Sequence, residues 1–195
     1  MSLIIFDTET GGLLPHHPTI QIAGIAVDAD WREVDAFERK IAFTTTDADP
    51  EALELNYFDP EVWRRESVTL RGAIDDFGSF LRNHADCQKI SRAGKPYTVA
   101  RLCGHNAATF DMPRVESHFK GHGAFFPADY RVLDTLQIFR WLRFVRPDVP
   151  ESGKLTDIAA FYGVKVDGAH DALFDCRLTA AIAPRILADI RGGAC

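Results

Sequence analysis

The hydrophobic period of this chain changes once, near residue 45, and that change limits the folds open to it. Before that point the apolar residues follow the two-residue repeat of strands. Ser2–Phe6 is a short apolar run ending on an acid, as a central strand would. Thr19–Val27 is apolar on both faces through Ile20, Ile22, Ile25 and Val27, and Asp28-Ala29-Asp30 supplies a turn. Trp31–Phe43 alternates with charges on one side, the pattern of an edge strand. Three strands joined by short connections predict an antiparallel meander.

Beyond it the spacing turns helical. Asp49-Pro50-Glu51 and Asp59-Pro60-Glu61 each read as a helix start, with Asp at the N-cap and Pro in the first turn. Leu70, Ala73, Ile74, Phe77, Phe80 and Leu81 mark one apolar helix face. Tyr97–Gly104 reads as a strand, followed by a helix carrying Met112, Val115 and Phe119. Tyr130–Leu133 is a short strand, and Asp134 caps a helix to about Phe144. A loop over 145–154, a short helix Leu155–Tyr162 and a long helix Ala172–Ile190, kinked at Pro184, complete the chain. The order β-β-β-α-β-α-β-α-α predicts an α/β fold. Its mixed five-stranded sheet has three antiparallel strands and then two parallel ones reached by helical crossovers.

At 195 residues the chain is expected to form one domain spanning 1–195, large enough to bury a core without staples. No apolar run approaches the roughly 18 residues of a membrane span, and no basic leader precedes Asp7. Cys87, Cys103, Cys176 and Cys195 form no C-x-x-C pair, so reduced thiols and a cytoplasmic location are expected. The net charge is −6, from 22 basic and 28 acidic residues. A binder relying on bulk charge to attract nucleic acid is usually basic. Bound divalent cations would be the other means of attracting phosphates, and carboxylates bind them.

Three acidic signals stand out. Asp7 and Glu9 lie two apart at the end of the first strand, on one face, and can hold a hard cation. Gly11-Gly12 follows and permits close backbone approach. Asp49/Glu51 and Asp59/Glu61 share the spacing but have the helix-cap explanation. Asp111 sits near the start of a helix behind a strand. There a helix-dipole interaction, worth under about 1 kcal/mol, is the structural alternative. In His170-Asp171-Ala172-Leu173-Phe174-Asp175, with Asp171 as N-cap, His170 and Asp175 occupy positions that touch across a helix start.

Taken in order, these signals resemble the DnaQ-like 3′–5′ exonuclease family, in its subclass with four acids and a histidine. Phe6-Asp7-Thr8-Glu9-Thr10 with Gly12-Leu13 matches the first motif, His105-Asn106 with Phe110-Asp111 the second, and His170 with Asp175 the third. Asp134-Thr135-Leu136 matches the family's Asp-Thr step. The resemblance covers about residues 2–190. It departs at Gly11, where Thr is usual, and in an Asn106–Phe110 interval one residue longer than the commonest version.

The resemblance implies a ribonuclease-H-like fold and two Mg²⁺ or Mn²⁺ ions. Asp7, Glu9, Asp111 and Asp175 would be the ligands and His170 the general base. It also implies substrate contacts from Thr10, Gly11, Gly12 and Leu13, and from Asn106 and Phe110. Single-stranded nucleic acid with a free 3′ end is the implied substrate, DNA ahead of RNA, and an exoribonuclease or oligoribonuclease is the alternative. Homodimers occur among relatives, and proofreading would require a polymerase or repair partner. Arg131, Arg140, Arg143, Arg146 and Lys154 are a candidate strand track or a solvated helix face. A haloacid-dehalogenase-type phosphatase would need Asp and Thr where Glu9 and Gly11 stand. A non-catalytic nucleic-acid-binding module would be expected to lack one of the five residues.

Overall fold

The computed structural model describes residues 2–166 and 171–192. Five strands form the main sheet in the order β3-β2-β1-β6-β7. Strands β1 (Leu3–Thr10), β2 (Thr19–Val27) and β3 (Glu33–Lys40) make the expected antiparallel meander. Strands β6 (Leu102–Gly104) and β7 (Leu133–Asp134) continue it in parallel, β6 pairing with β1 through Ile4–Leu102 and Ile5–Cys103.

Helices α1 (Pro50–Leu55) and α2 (Pro60–Glu66) begin at the two Asp-Pro-Glu signals. Asp49 accepts from the Glu51 amide at 3.0 Å, and Asp59 from the Glu61 amide at 2.8 Å. Helices α3 (Leu70–Asn83) and α4 (Asp111–Gly121) cover one face of the sheet. Ile4, Phe6, Ile22 and Leu102 pack there against Ile74, Phe77, Val115 and Phe119. The opposite face carries Ile5, Ala23, Ile25 and Cys103 against Ala172 and Cys176 of α7 (Ala172–Gly192). A third apolar cluster joins α5 (Thr135–Val145) and α6 (Leu155–Phe161) to the outer side of α7. Strand β2, covered on both faces, is buried along its whole length. No helix among the described residues is long and apolar enough to cross a membrane.

Several boundaries differ from the sequence reading, among them the expected strand Tyr130–Leu133, which is Leu133–Asp134 in the fold. Strand β1 does not stop at Phe6 but runs through Thr10, so its acids are strand residues. The expected strand Tyr97–Gly104 is two strands in different sheets. β4 (Cys87–Ile90) and β5 (Pro96–Val99) form a separate hairpin, and the chain enters the main sheet only at Leu102. Residues 87–90 are mostly polar, so hydrophobic periodicity carries no signal for this hairpin. Helix α7 runs through Pro184, as expected, and reaches Gly192. The Arg185 guanidinium donates to the Ala181 carbonyl in that turn.

Asp134 ties the parallel edge together. It caps α5 by accepting from Leu136 N at 3.0 Å and Gln137 N at 3.3 Å. The same carboxylate accepts from Asn106 N at 3.1 Å and Ala108 N at 3.0 Å, across the β6–α4 connection. Asp134→Ala would leave four amides without this acceptor, and the loss of a cap alone typically costs about 1–2 kcal/mol. The variant is expected to lose about 2 kcal/mol or more in urea unfolding, and an unchanged midpoint would show that water replaces the carboxylate.

Candidate active site

The alternation of β1 sorts the site residues onto two faces. Ile5 belongs to the α7 side, so Asp7 and Glu9, two and four residues on, also project there. Asp175 lies on the first turn of α7. One carboxylate oxygen from each of Asp7, Glu9 and Asp175 lies within 4.8 Å of the other two. Asp171 caps this helix by accepting from Phe174 N at 3.0 Å, as expected, and accepts from Gln21 Nε2 of β2 at 3.2 Å. Gln21 therefore links the start of α7 to the sheet beside the acids. His170, the third motif's histidine, lies outside the described residues.

Thr8 projects to the other face and meets α4. By the β1–β6 register, Phe6 lies opposite Gly104, where β6 ends. The Thr8 amide therefore has no strand partner on that side, and Asp111 Oδ1 takes it at 3.0 Å. The Thr8 hydroxyl donates to the same oxygen. Asp111 is buried, and these bonds anchor its carboxylate to the strand that carries Asp7 and Glu9. It stands outside the three-carboxylate group.

The electrostatics fit a cation. Burial, reinforced by Asp111, Glu9 and Asp175, holds the Asp7 carboxyl well above its usual range. Burial and the charges of Asp175, Asp111 and Asp171 push Glu9 up to about 8. Burial pushes Asp111 up to about 7, against the opposing pull of its Thr8 bonds and Arg114. Among the described residues, neither Asp7 nor Glu9 joins a salt bridge. An all-oxygen group of like charges in a desolvated site suits a hard divalent ion.

A cavity of about 330 Å³ opens beside Glu9, and a second of the same volume lies across Leu13 and Phe110 from it. The first is lined by Glu9, Thr10, Gly12 and Leu13 and, opposite them, by Asp49, Glu51 and Asn56 of the α1 region. The second is lined by His17, Thr109, Arg114, Ser117 and His118. Leu13 and Phe110 line both and form the wall between them. The sequence had given Asp49 and Glu51 only a capping role, but they also shape this cavity. Asn56 was not singled out; its amide donates to the Thr10 carbonyl at 2.9 Å and holds the end of β1.

Other expected contacts fall elsewhere. The Gly11 amide donates to Pro18 O at 2.8 Å and its carbonyl accepts from Asp49 N at 2.6 Å, so both groups are engaged within the protein. A Cβ at Gly11 would lie 2.6 Å from that of Ala48, which accounts for the absence of the usual Thr. Gly12 has φ +145°, and a Cβ there would sit 1.8 Å from His17 Nδ1. Asn106, in the left-handed region at φ +60°, accepts from the Thr109 hydroxyl at 2.8 Å and shapes the loop; it lines neither cavity. His105 bonds Thr135 Oγ1 at 2.9 Å and Gly153 O at 2.8 Å, a structural tie. In the basic run, Arg146 pairs with Asp148 and Asp189, Arg131 with Asp129, and Arg143 bonds the Val149 carbonyl. It is not a continuous track of free charge.

Protonation of the acid group should govern stability when no metal is bound. Unfolded carboxyls titrate near pH 4, whereas Glu9 and Asp111 do so at about 8 and about 7 in the fold. Between those limits the native state binds more protons than the unfolded state, so stability falls as pH rises. In chelator, the melting temperature is expected to drop from pH 5 to pH 8, and Mg²⁺ or Mn²⁺ should restore it most at pH 8. Asp7→Asn should raise the chelated protein's melting temperature at pH 8 by relieving repulsion. A flat profile in chelator would contradict this account.

No family model matches the chain, and no curated protein matches it by sequence. Solved structures do. Escherichia coli exonuclease I, in a zinc-bound complex with single-stranded DNA, gives a TM-score of 0.75 at 18% identity, over 98% of this chain and 43% of that chain. The same enzyme with a dT13 oligonucleotide gives 0.74 at 18% identity, over 98% and 41%. An ExoI/SSB-Ct complex gives 0.69 at 16% identity, over 98% and 43%. The chain thus spans less than half the length of the exonuclease I chains it matches. What the likeness establishes is the fold: this chain has the mixed-sheet α/β fold of exonuclease I.

Proposed function

We propose that the chain is a metal-dependent 3′–5′ exonuclease acting on single-stranded nucleic acid, with DNA preferred. One observation carries the reading: the oxygens of Asp7, Glu9 and Asp175 gather within 4.8 Å beside a cavity of about 330 Å³. Such a volume is within the range of ligand pockets, about 300–1,000 Å³. Support comes from the motif order and from the fold shared with exonuclease I, whose structures hold single-stranded DNA.

Asp7, Glu9 and Asp175 are the ligand set for one Mg²⁺ or Mn²⁺. Asp7, the acid most central to the sheet, and Asp111 would hold a second ion. When bound, such ions supply Lewis-acid activation of water and charge neutralisation at the attacking and leaving oxygens. They also turn a site of four like charges into one that accepts a polyanion. The protein's own groups do the remainder. Thr8 keeps the Asp111 carboxylate oriented through two hydrogen bonds. His170 takes the proton of the attacking water, a task that an imidazole's reference pKa of about 6.5 suits near neutral pH. The 3′-terminal nucleotide occupies the cavity beside Glu9, against Thr10 and Gly12. Leu13 and Phe110 separate its base from the next. Contact with such side chains is worth about 1–3 kcal/mol per base and tolerates any sequence.

Digestion of 3′- and 5′-labelled single- and double-stranded DNA and RNA, with Mg²⁺ or Mn²⁺ and with chelator, tests the reading. Release of 3′-terminal mononucleotides from single-stranded DNA, abolished by chelator and by Asp7→Asn, is expected. Faster turnover of RNA would establish the exoribonuclease alternative, and tight binding without hydrolysis the non-catalytic one.

His170→Ala is expected to slow hydrolysis about 10²–10⁴-fold, the usual worth of a positioned base. The wild-type rate should rise with pH through the imidazole pKa and then level off, and the variant should lose that inflection. If the inflection persists, another group activates the water. If metal affinity collapses instead, His170 is a ligand.

A further inference from the structure

The wall between the two cavities is built from residues far apart in the chain, and one side chain touches both halves. Leu13 sits on the β1–β2 connection and is 82% exposed, so its own packing does not hold it. Phe110 immediately precedes α4. Arg114, one turn further along α4, lays its guanidinium 4.6 Å from the centre of the Phe110 ring. Its Nη2 donates to Leu13 O at 3.0 Å and Leu14 O at 3.2 Å, and its Nη1 to His17 O at 3.4 Å. Among the described residues it makes no salt bridge, although the chain carries 28 acids. Three carbonyls of one loop and the face of one ring take its direct contacts, and the Asp111 charge is near enough to act on it. A planar fork can meet both at once, whereas an ammonium group has neither the breadth nor the flat face.

We infer that Arg114 is a positioning residue for substrate: it clamps the 13–17 loop to α4 so that Leu13 and Phe110 stand opposed at a fixed spacing. The inference rests on the nuclease reading and extends it. Arg114 acts only on substrates that have a second nucleotide to be separated from the terminal one. A phosphodiester with a single base reads the acid group without reading the wall.

The test compares a single-stranded DNA oligonucleotide with the p-nitrophenyl ester of thymidine 5′-monophosphate. The readout is the ratio of their kcat/KM values, so any general loss cancels. Arg114→Met is expected to lower that ratio about tenfold, mainly through KM for the oligonucleotide. Arg114→Lys should recover little of it. Leu13→Ala, which removes one half of the wall directly, should lower the ratio to a similar extent. The double variant should fall little further, because the two changes remove the same device.

An independent readout needs no turnover. With Mg²⁺ present, binding of an oligonucleotide that carries 2-aminopurine at its 3′ end on a non-hydrolysable terminal linkage should raise the probe's fluorescence as the base unstacks. Arg114→Met should show a smaller rise at saturation. An unchanged ratio, full rescue by lysine, or multiplicative losses in the double variant would each overturn the role assigned to Arg114. Wild-type protein that hydrolyses neither substrate would overturn the nuclease reading, and with it this inference.

Discussion

Everything at this site depends on the side-chain alternation of one central strand. β1 is flanked by β2 and β6, so its backbone cannot turn and each side chain must go to one face or the other. Ile4 and Phe6 anchor one face in the α3–α4 core, and Ile5 anchors the other under α7. With those positions settled, Asp7 and Glu9 have to face α7, and Thr8 has to face α4. A one-residue slip would exchange the faces and break up both the core and the acid group. The apolar residues of β1 therefore act as the register device for its carboxylates.

That arrangement concentrates like charge where water is scarce. Desolvation is the leading reason that the carboxyls of Asp7, Glu9 and Asp111 are held above their usual range. A fold keeps such groups together only if the rest of the structure holds them or a cation neutralises them. Here the surrounding structure does much of the holding. Thr8 binds Asp111, Gln21 binds the Asp171 cap of the helix that bears Asp175, and Asn56 binds the end of β1. These three tethers reach the site from β1, β2 and the end of α1, so the protein's own hydrogen bonds help to set where the carboxylates lie. The overall charge of −6 is then compatible with a nucleic-acid substrate, because the neutralising charge would come from the ions and not from surface lysines.

The connections around the acids are equally committed. Gly11 is bonded to Pro18 and Asp49, Asp134 gathers four amides, and His105 spans from Thr135 to Gly153. Each links segments distant in the chain. The exposed wall residue Leu13 is held by its carbonyl and not by its side chain, which leaves the side chain free to meet a ligand.

The sequence alone determined the three-stranded antiparallel meander, the helix starts at Asp49, Asp59 and Asp134, and the pairing of Asp7 with Glu9. All of these are local: periodicity, cap chemistry and strand geometry act within a few residues. The arrival of Asp175 beside that pair was signalled by motif order, but its placement required the packing of α7 over the Ile5 face. Other features had no local signal. The β4–β5 hairpin is too polar to show a period. Asn106 looked like a substrate contact yet turns a loop, because its hydroxyl partner Thr109 is close by and no cavity opens on it. Asn56, Gln21 and Arg114 carry no motif and gain their roles from carbonyls and carboxylates that only the folded chain brings near. Hydrogen bonds between distant segments have no sequence spacing to betray them, so the tethers and the wall were left to the tertiary structure.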